Sequence, residues 1–174
     1  FTYTDCNGQS YVWTYTYTIS APTVVLPANG TATVACVADA TVPTAPVVND
    51  NCGRPITPVM TVGADPVCTG DKVYTFTYTD CNGQAYVWTY TYTISAPTVV
   101  LPANGSSVVA CVADATVPAA PVVNDNCGRP ITPVMTETAD PVCTGDKVYT
   151  FTYTDCNGQA YVWTYTYTIS APTV

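Results

Sequence analysis

Nine cysteines stand in a chain of 174 residues that contains no histidine, and their spacing limits the chemistry they can do. No Cys-x-x-Cys pair occurs, so closely spaced zinc ligands are missing. What remains is disulfide formation, the chemistry of an oxidising, extracellular setting. Without histidine the usual general base and the common catalytic triads are absent. No nucleophile–base pair offers itself, and the sequence does not read as that of an enzyme. Twelve acidic and four basic side chains give a net charge of -8. Arg54, Lys72, Arg129 and Lys147 are too few to neutralise a phosphate backbone or an anionic bilayer, so neither nucleic acid nor direct membrane insertion is expected.

Other side chains carry weaker signals. Asp50 and Asp80, with Asn49, Asn51 and Asn82, would gather at one end if their loops are adjacent, and oxygen ligands at a domain junction can hold calcium. Calcium is the one cofactor the sequence suggests. Its competitor is turn chemistry, since Asp and Asn side chains bond nearby backbone amides. Asn29-Gly30-Thr31 and Asn104-Gly105-Ser106 match the N-glycosylation acceptor pattern. Lys72 and Lys147 could form isopeptide bonds with asparagine, against which stands simple solvation at a strand start. Rows of threonine resemble flat ice-binding faces and also suit any exposed strand.

The elements that must position these groups come from a repeat. FTYTDCNGQ begins at Phe1, Phe76 and Phe151, a period of 75 residues, and 21–95 differs from 96–170 at six positions. The domains are therefore residues 21–95 and 96–170. Residues 1–20 form the C-terminal hairpin of a preceding repeat, and 171–174 open the next. The chain is expected to be a segment of a longer array. Strict alternation predicts strands at Val73–Thr79 and Tyr86–Ile94, joined through the turn signal Asp80-Cys81-Asn82-Gly83-Gln84. Shorter strands are expected at Thr23–Leu26, Thr33–Ala38, Ala45–Val48 and Ile56–Thr61. Six or seven short strands per copy, with no helical periodicity, predict an all-β chain of tandem Ig-like antiparallel β-sandwich repeats.

All the aromatics fall in the terminal hairpin of each copy. An odd loop would place Tyr74, Phe76, Tyr78, Trp88, Tyr90 and Tyr92 on one face as the core, whereas a two-residue loop would split them. A 75-residue sandwich has a marginal core, which gives the cysteines a bracing role. Four per copy allow three connectivities. In such a sandwich the second and penultimate strands run the same way, putting Cys36 and Cys68 at one end and Cys52 and Cys81 at the other. This favours two disulfides in each repeat: Cys36–Cys68 and Cys52–Cys81, then Cys111–Cys143 and Cys127–Cys156. The partner of Cys6 would lie outside the chain.

The order of Cys36, the Asp50-Asn51-Cys52-Gly53 loop, Cys68 and Tyr78-Thr79-Asp80-Cys81-Asn82-Gly83 resembles the four-cysteine variety of HYR-like (hyalin-repeat-like) domains across the whole repeat. The resemblance implies an Ig-like sandwich, used in tandem by very large surface and secreted proteins, often of Bacteroidota and including adhesins, with no catalytic residues to carry over. The proline-bearing, glycine-free junctions at Ile19–Thr23 and Ile94–Thr98 predict semi-rigid coupling of domains. Together these readings predict a segment of an extracellular, cell-surface fibre, stalk or adhesin. Its partners would be other copies of itself, associating laterally or end to end. The alternative is a multivalent module binding surface glycans or ice through repeated β-faces.

Overall fold

The structure, a computed structural model, describes residues 1–171; of the expected next repeat, 171–174, all but Ala171 lies outside the described residues. A short hairpin, β1 (Thr2–Thr4) and β2 (Ser10–Val12), comes first. The first repeat follows as β3 (Gly30–Val34), β4 (Val48–Asn49), β5 (Pro55–Ile56), β6 (Val59–Val62), β7 (Gly70–Thr79) and β8 (Ala85–Ile94). The second repeats this order as β9 (Gly105–Val109), β10 (Val123–Asn124), β11 (Pro130–Ile131), β12 (Pro133–Glu137), β13 (Gly145–Thr154) and β14 (Ala160–Ile169). The chain is all-β, as expected, built from two repeated sets of sheets.

Alternation of aromatic residues with threonine makes β7 and β8 the longest strands, because one row can be buried while the other tolerates water. Thr79 pairs with Ala85, leaving a five-residue loop. Tyr74, Phe76 and Tyr78 therefore stand opposite Tyr90, Trp88 and Tyr86 on a single face, the arrangement an odd loop dictates. Tyr74, Phe76, Tyr78 and Trp88 are buried with Val48, and half-buried Tyr90 and Tyr92 pack against them. The second repeat builds the same cluster around Tyr149, Phe151, Tyr153 and Trp163.

Two features depart from a simple antiparallel sandwich. The main sheet has the order β3-β8-β7-β6, and β3 runs parallel to β8. Both strands carry the chain to the same end, β3 toward Cys36 and β8 toward the linker. Close approach there needs Gly30, because a Cβ would meet the Tyr90 ring at 2.2 Å.

The second layer is thin. It consists of the two-residue strands β4 and β5, the bridge Val24–Asp50 and otherwise irregular chain. Of the strands expected at Thr23–Leu26 and Ala45–Val48, only Val24 and Val48 pair; Pro43 and Pro46 remove ladder donors. Side chains of the aromatic sheet satisfy the irregular backbone instead. Tyr74 donates its hydroxyl to the Ala40 carbonyl at 2.6 Å, Tyr78 to Pro46 at 2.7 Å, and the Trp88 indole N–H to Ala28 at 2.8 Å. The hairpin face is thus both the core and the fastening for its cover. No disulfide lies within either repeat; the two that form join one repeat to the other.

Candidate functional site

The junction between the repeats starts from two loops of the same design. In Asp50–Arg54, the Asp50 carboxylate accepts the backbone N–H groups of Cys52 and Arg54, the Asp50 N–H donates to the Arg54 carbonyl, and Gly53 closes the turn at φ 78. In Asp80–Gln84, Asp80 accepts the N–H groups of Asn82 and Gln84, and Gly83 has φ 84. Glycine is needed at these positions because other residues rarely adopt a positive φ. Each loop displays a cysteine, Cys52 in the first and Cys81 in the second. Both cysteines line one cleft, beside Arg54.

At the opposite end of the repeat Cys36 follows β3 and opens the 3-10 turn Val37–Asp39, while Cys68 lies just before β7. The two pairs of ends expected from topology are present: Cys36 with Cys68, and Cys52 with Cys81. The bonds are not those expected. Cys36 is bonded to Cys127 and Cys68 to Cys156, with Cα–Cα distances of 5.6 Å in both. These replace the predicted Cys36–Cys68, Cys52–Cys81, Cys111–Cys143 and Cys127–Cys156. The physical reason is translation: stacked copies bring the Cys36/Cys68 end of one repeat against the Cys127/Cys156 loops of the next. Cys6, Cys52, Cys81, Cys111 and Cys143 keep free thiols.

Noncovalent contacts complete the junction. Arg129 bonds Asp125 through Nε at 2.7 Å, touches the Cys156 sulfur at 3.2 Å, and donates through Nη1 to the Val67 carbonyl of the preceding repeat at 2.8 Å. The linker is pinned on both sides. Ser95 donates its backbone N–H to Val34, Pro97 is buried, and Thr98 exchanges hydrogen bonds with Asn126. Burial pushes the Asp125 carboxyl up, but the Arg129 N–H and guanidinium outweigh it and leave the pKa lowered; at Asp50 the Arg54 N–H is the leading cause of the same shift.

The remaining sequence candidates fall into structural roles. Asp50 and Asp80 do line a common cleft, but Arg54 lies in it with them, and their carboxylates are occupied by loop amides. A calcium ion there would have to displace a guanidinium. Among the described residues no cluster of three or more Cys, Asp or Glu side chains is arranged to hold a metal. Asn29 and Asn104 are exposed, and their Oδ1 atoms accept the N–H groups of Thr89 and Thr164 at 3.0 Å. The lysines pair with carboxylates: Lys72 with Asp65, and Lys147 with Asp140 and Glu137. The Asp140 carboxylate is the main reason the Lys147 pKa is raised. Glu137 stands where the first repeat has Val62, so that difference supplies a second anion to a lysine.

The sequence model of the family described as "HYR-like domain with 4 cysteines" matches residues 24–94 and again 99–169. The chain belongs to this family. Its two HYR-like domains are non-catalytic repeat modules of the kind typical of extracellular adhesion and structural proteins, and disulfide-bonded HYR-like domains point to an extracellular protein. A comparison with curated proteins finds no match. Sequence reasoning missed Arg129 as a junction residue. The signal available was the Asp-x-x-Gly-Arg loop, which places an arginine beside the cysteine-bearing turn in both HYR-like domains.

Proposed function

We propose that this chain is a load-bearing segment of an extracellular repetitive fibre, stalk or adhesin of a bacterial cell surface, in which HYR-like domains are welded into a stiff rod. One observation supports this reading above the others: consecutive domains are joined by the peptide linker and two disulfides, with Arg129 bridging the same boundary. Three covalent connections restrict bending and twisting far more than a proline linker does. The glycan- or ice-binding alternative has less support, because the rings that would stack on sugar form the core of both repeats. Self-association fits the fold as well. Val59 and Val87 are exposed on the outer face of the sheet, flanking Thr77 across β6, β7 and β8.

Small-angle scattering of the oxidised chain tests the proposal. The expected result is a rod-like distance distribution that broadens to that of two loosely tethered bodies on reduction. A flexible pair of domains in the oxidised state would overturn it, as would capture on a glycan array that disappears with the threonine row.

A further inference from the structure

Each main sheet ends in an uncovered strand, β6 in the first repeat and β12 in the second. Gly63 donates its N–H to the Val73 carbonyl, and residue pairs along an antiparallel ladder alternate between bonded and unbonded. With Met60 opposite Phe76 and Val62 opposite Tyr74, the N–H and C=O groups of Met60 and Val62 therefore point away from β7, out of the edge of the sheet. Their side chains rim the aromatic face, 41% and 48% exposed, while Val59 on the other face is 69% exposed. Neighbouring repeats do not cover this edge. A repeat follows β6 and a repeat precedes β12, yet Val134 is as exposed as Val59 and Met135 as Met60. What separates the two edges is sequence. Five of the six differences between the repeats lie in or directly beside edge strands: Thr31/Ser106, Ala32/Ser107 and Thr33/Val108 in β3 and β9, then Val62/Glu137 and Gly63/Thr138 at β6 and β12. The inner strands β7 and β8 are identical to β13 and β14. An edge strand without charge invites pairing, and a charged side chain on it is the ordinary guard. β12 carries that guard as Glu137, held by Lys147 at 3.3 Å; β6 has Val62 in its place.

We infer that β6 is a docking edge for the same strand of a second copy of this chain, paired antiparallel about a two-fold axis at Thr61. The inference rests on the self-association in the proposed function, not on the stiffness of the rod, and gives that association a site. In this register Met60 faces Val62 of the second copy on each side of the axis, and the N–H and C=O groups that both residues leave free are all used. Pro58 has no N–H and ends the ladder. On the aromatic face the pairing brings together the half-exposed side chains of Met60 and Val62 from both copies. On the other face Val59 meets Gly63 of the second copy, where no side chain stands in its way. The two four-stranded sheets become one continuous sheet. The same pairing at β12 would take two Glu137 carboxylates from water, each set beside Met135 of the other copy, and would oppose Val134 with Thr138. Removing those charges from water works against what the backbone bonds gain. The contact at β6 is isologous and closes as a dimer. Four residues of edge bury far less than the roughly 1,200 Å² of a stable interface, so the dimer is reversible and forms at high concentration.

Sedimentation equilibrium of the oxidised chain up to millimolar concentration tests this, with the thiols alkylated so that no new disulfide forms. The expected result is a monomer–dimer equilibrium with nothing larger, because one edge is open and the other guarded. Hydrogen exchange should show the Met60 and Val62 amides becoming protected as concentration rises. V62E/G63T gives β6 the residues with which the second repeat already folds, and should raise the dissociation constant at least about tenfold. The reverse exchange, E137V/T138G, opens a second edge and should give species larger than the dimer. Met60→Pro removes an N–H that the ladder to β7 does not use, the one strand position where proline is tolerated, and should also weaken the dimer. The inference is overturned if the chain stays monomeric, if V62E/G63T or Met60→Pro dimerises as readily, if E137V/T138G stops at the dimer, or if association protects the amides of another strand instead. A rod-like chain that stays monomeric refutes the edge contact alone. A chain that dimerises through β6 but is flexible when oxidised refutes the stiff fibre and leaves the edge contact standing.

Discussion

The loop that meets the preceding repeat at Asp125–Arg129 and its first-repeat counterpart at Asp50–Arg54 are made of the same residues in different surroundings. At the boundary Arg129 holds Asp125, touches Cys156 and bonds the Val67 carbonyl across the junction; in the first repeat Arg54 holds Asp50 and touches Cys81. The arginine, the loop and the cysteine keep the same contacts with one another in both. Packing one repeat on the next therefore adds the Val67 bond and the disulfides to a loop whose internal hydrogen bonds are already made. It also explains why a domain with four cysteines forms no internal disulfide. Its two cysteine pairs sit at opposite ends of the sheet, each aimed at a neighbour.

The contrast breaks most completely when the boundary is made to resemble the first-repeat loop. The C36S/C68S chain loses both disulfides and should lose at least the about 4–5 kcal/mol of unfolding free energy, in denaturant melts, that the chain-entropy estimate gives for one loop of about 90 residues. Its scattering profile should match that of the reduced chain, while circular dichroism keeps the β-signature because no disulfide lies inside a repeat.

Tyr153→Phe comes next. It leaves the Pro121 carbonyl without the hydroxyl that bonds it at 2.7 Å and should cost about 1–2 kcal/mol. Tyr78→Phe, with the same bond to Pro46, should cost the same, which would show that the repeats differ at their ends and not in their cores.

Acid should act through the loops that present the cysteines. Asp50 and Asp125 have pKa values lowered in the folded chain. Their contribution is present above the ordinary carboxylate value of about 4 and is lost as pH falls through the lower folded values. Thermal melts should show stability declining below about pH 4, less steeply for Asp125→Asn. That variant should also form Cys36–Cys127 more slowly on reoxidation, whereas Asp50→Asn should not.

The smallest effect is reserved for the arginines. Arg129→Lys removes the fork that reaches both Asp125 and Val67 and should cost under about 1 kcal/mol. In double-mutant cycles with C36S, Arg129→Lys should couple to the junction and Arg54→Lys should not.

How much of this the sequence disclosed depended on whether the interactions were local. Alternation in Val73–Thr79 and Tyr86–Ile94 made the two long strands legible, but whether the rings share a face was open until the Thr79–Ala85 pairing gave an odd loop. The Asp-Asn-Cys-Gly and Asp-Cys-Asn-Gly turns were readable from their residues for the same reason. The thin second layer was not legible, because its backbone is satisfied by hydroxyl and indole donors from a strand more than thirty residues away, as in the Tyr78–Pro46 bond. The parallel pairing of β3 with β8 depends on Gly30 making room for Tyr90, a long-range fit that a sequence pattern does not reveal.

The hairpin 1–20 makes the same point from the other side. It differs from 76–95 only at Ser10 against Ala85, so its surroundings and not its residues set its exposure. Without a covering layer Trp13 is 51% exposed, against 6% for Trp88; a lone hairpin is marginal whatever its propensity. The disulfides were half legible. Topology put the right cysteines at the right ends, but the partner lay in the adjacent copy, which only the stacking of repeats reveals.

The cross-repeat bonds also shorten the route by which tension travels. A pull applied between Cys81 and Cys143 need not run through the whole of either domain. It can pass back along the 13 residues to Cys68, across to Cys156, and along another 13 residues to Cys143. Ten residues of each segment are β7 or β13, already extended at about 3.3–3.4 Å per residue, close to the limit of a polypeptide. Loss of the surrounding fold would add little length, so this pair of domains behaves as a tether that can be denatured without being stretched.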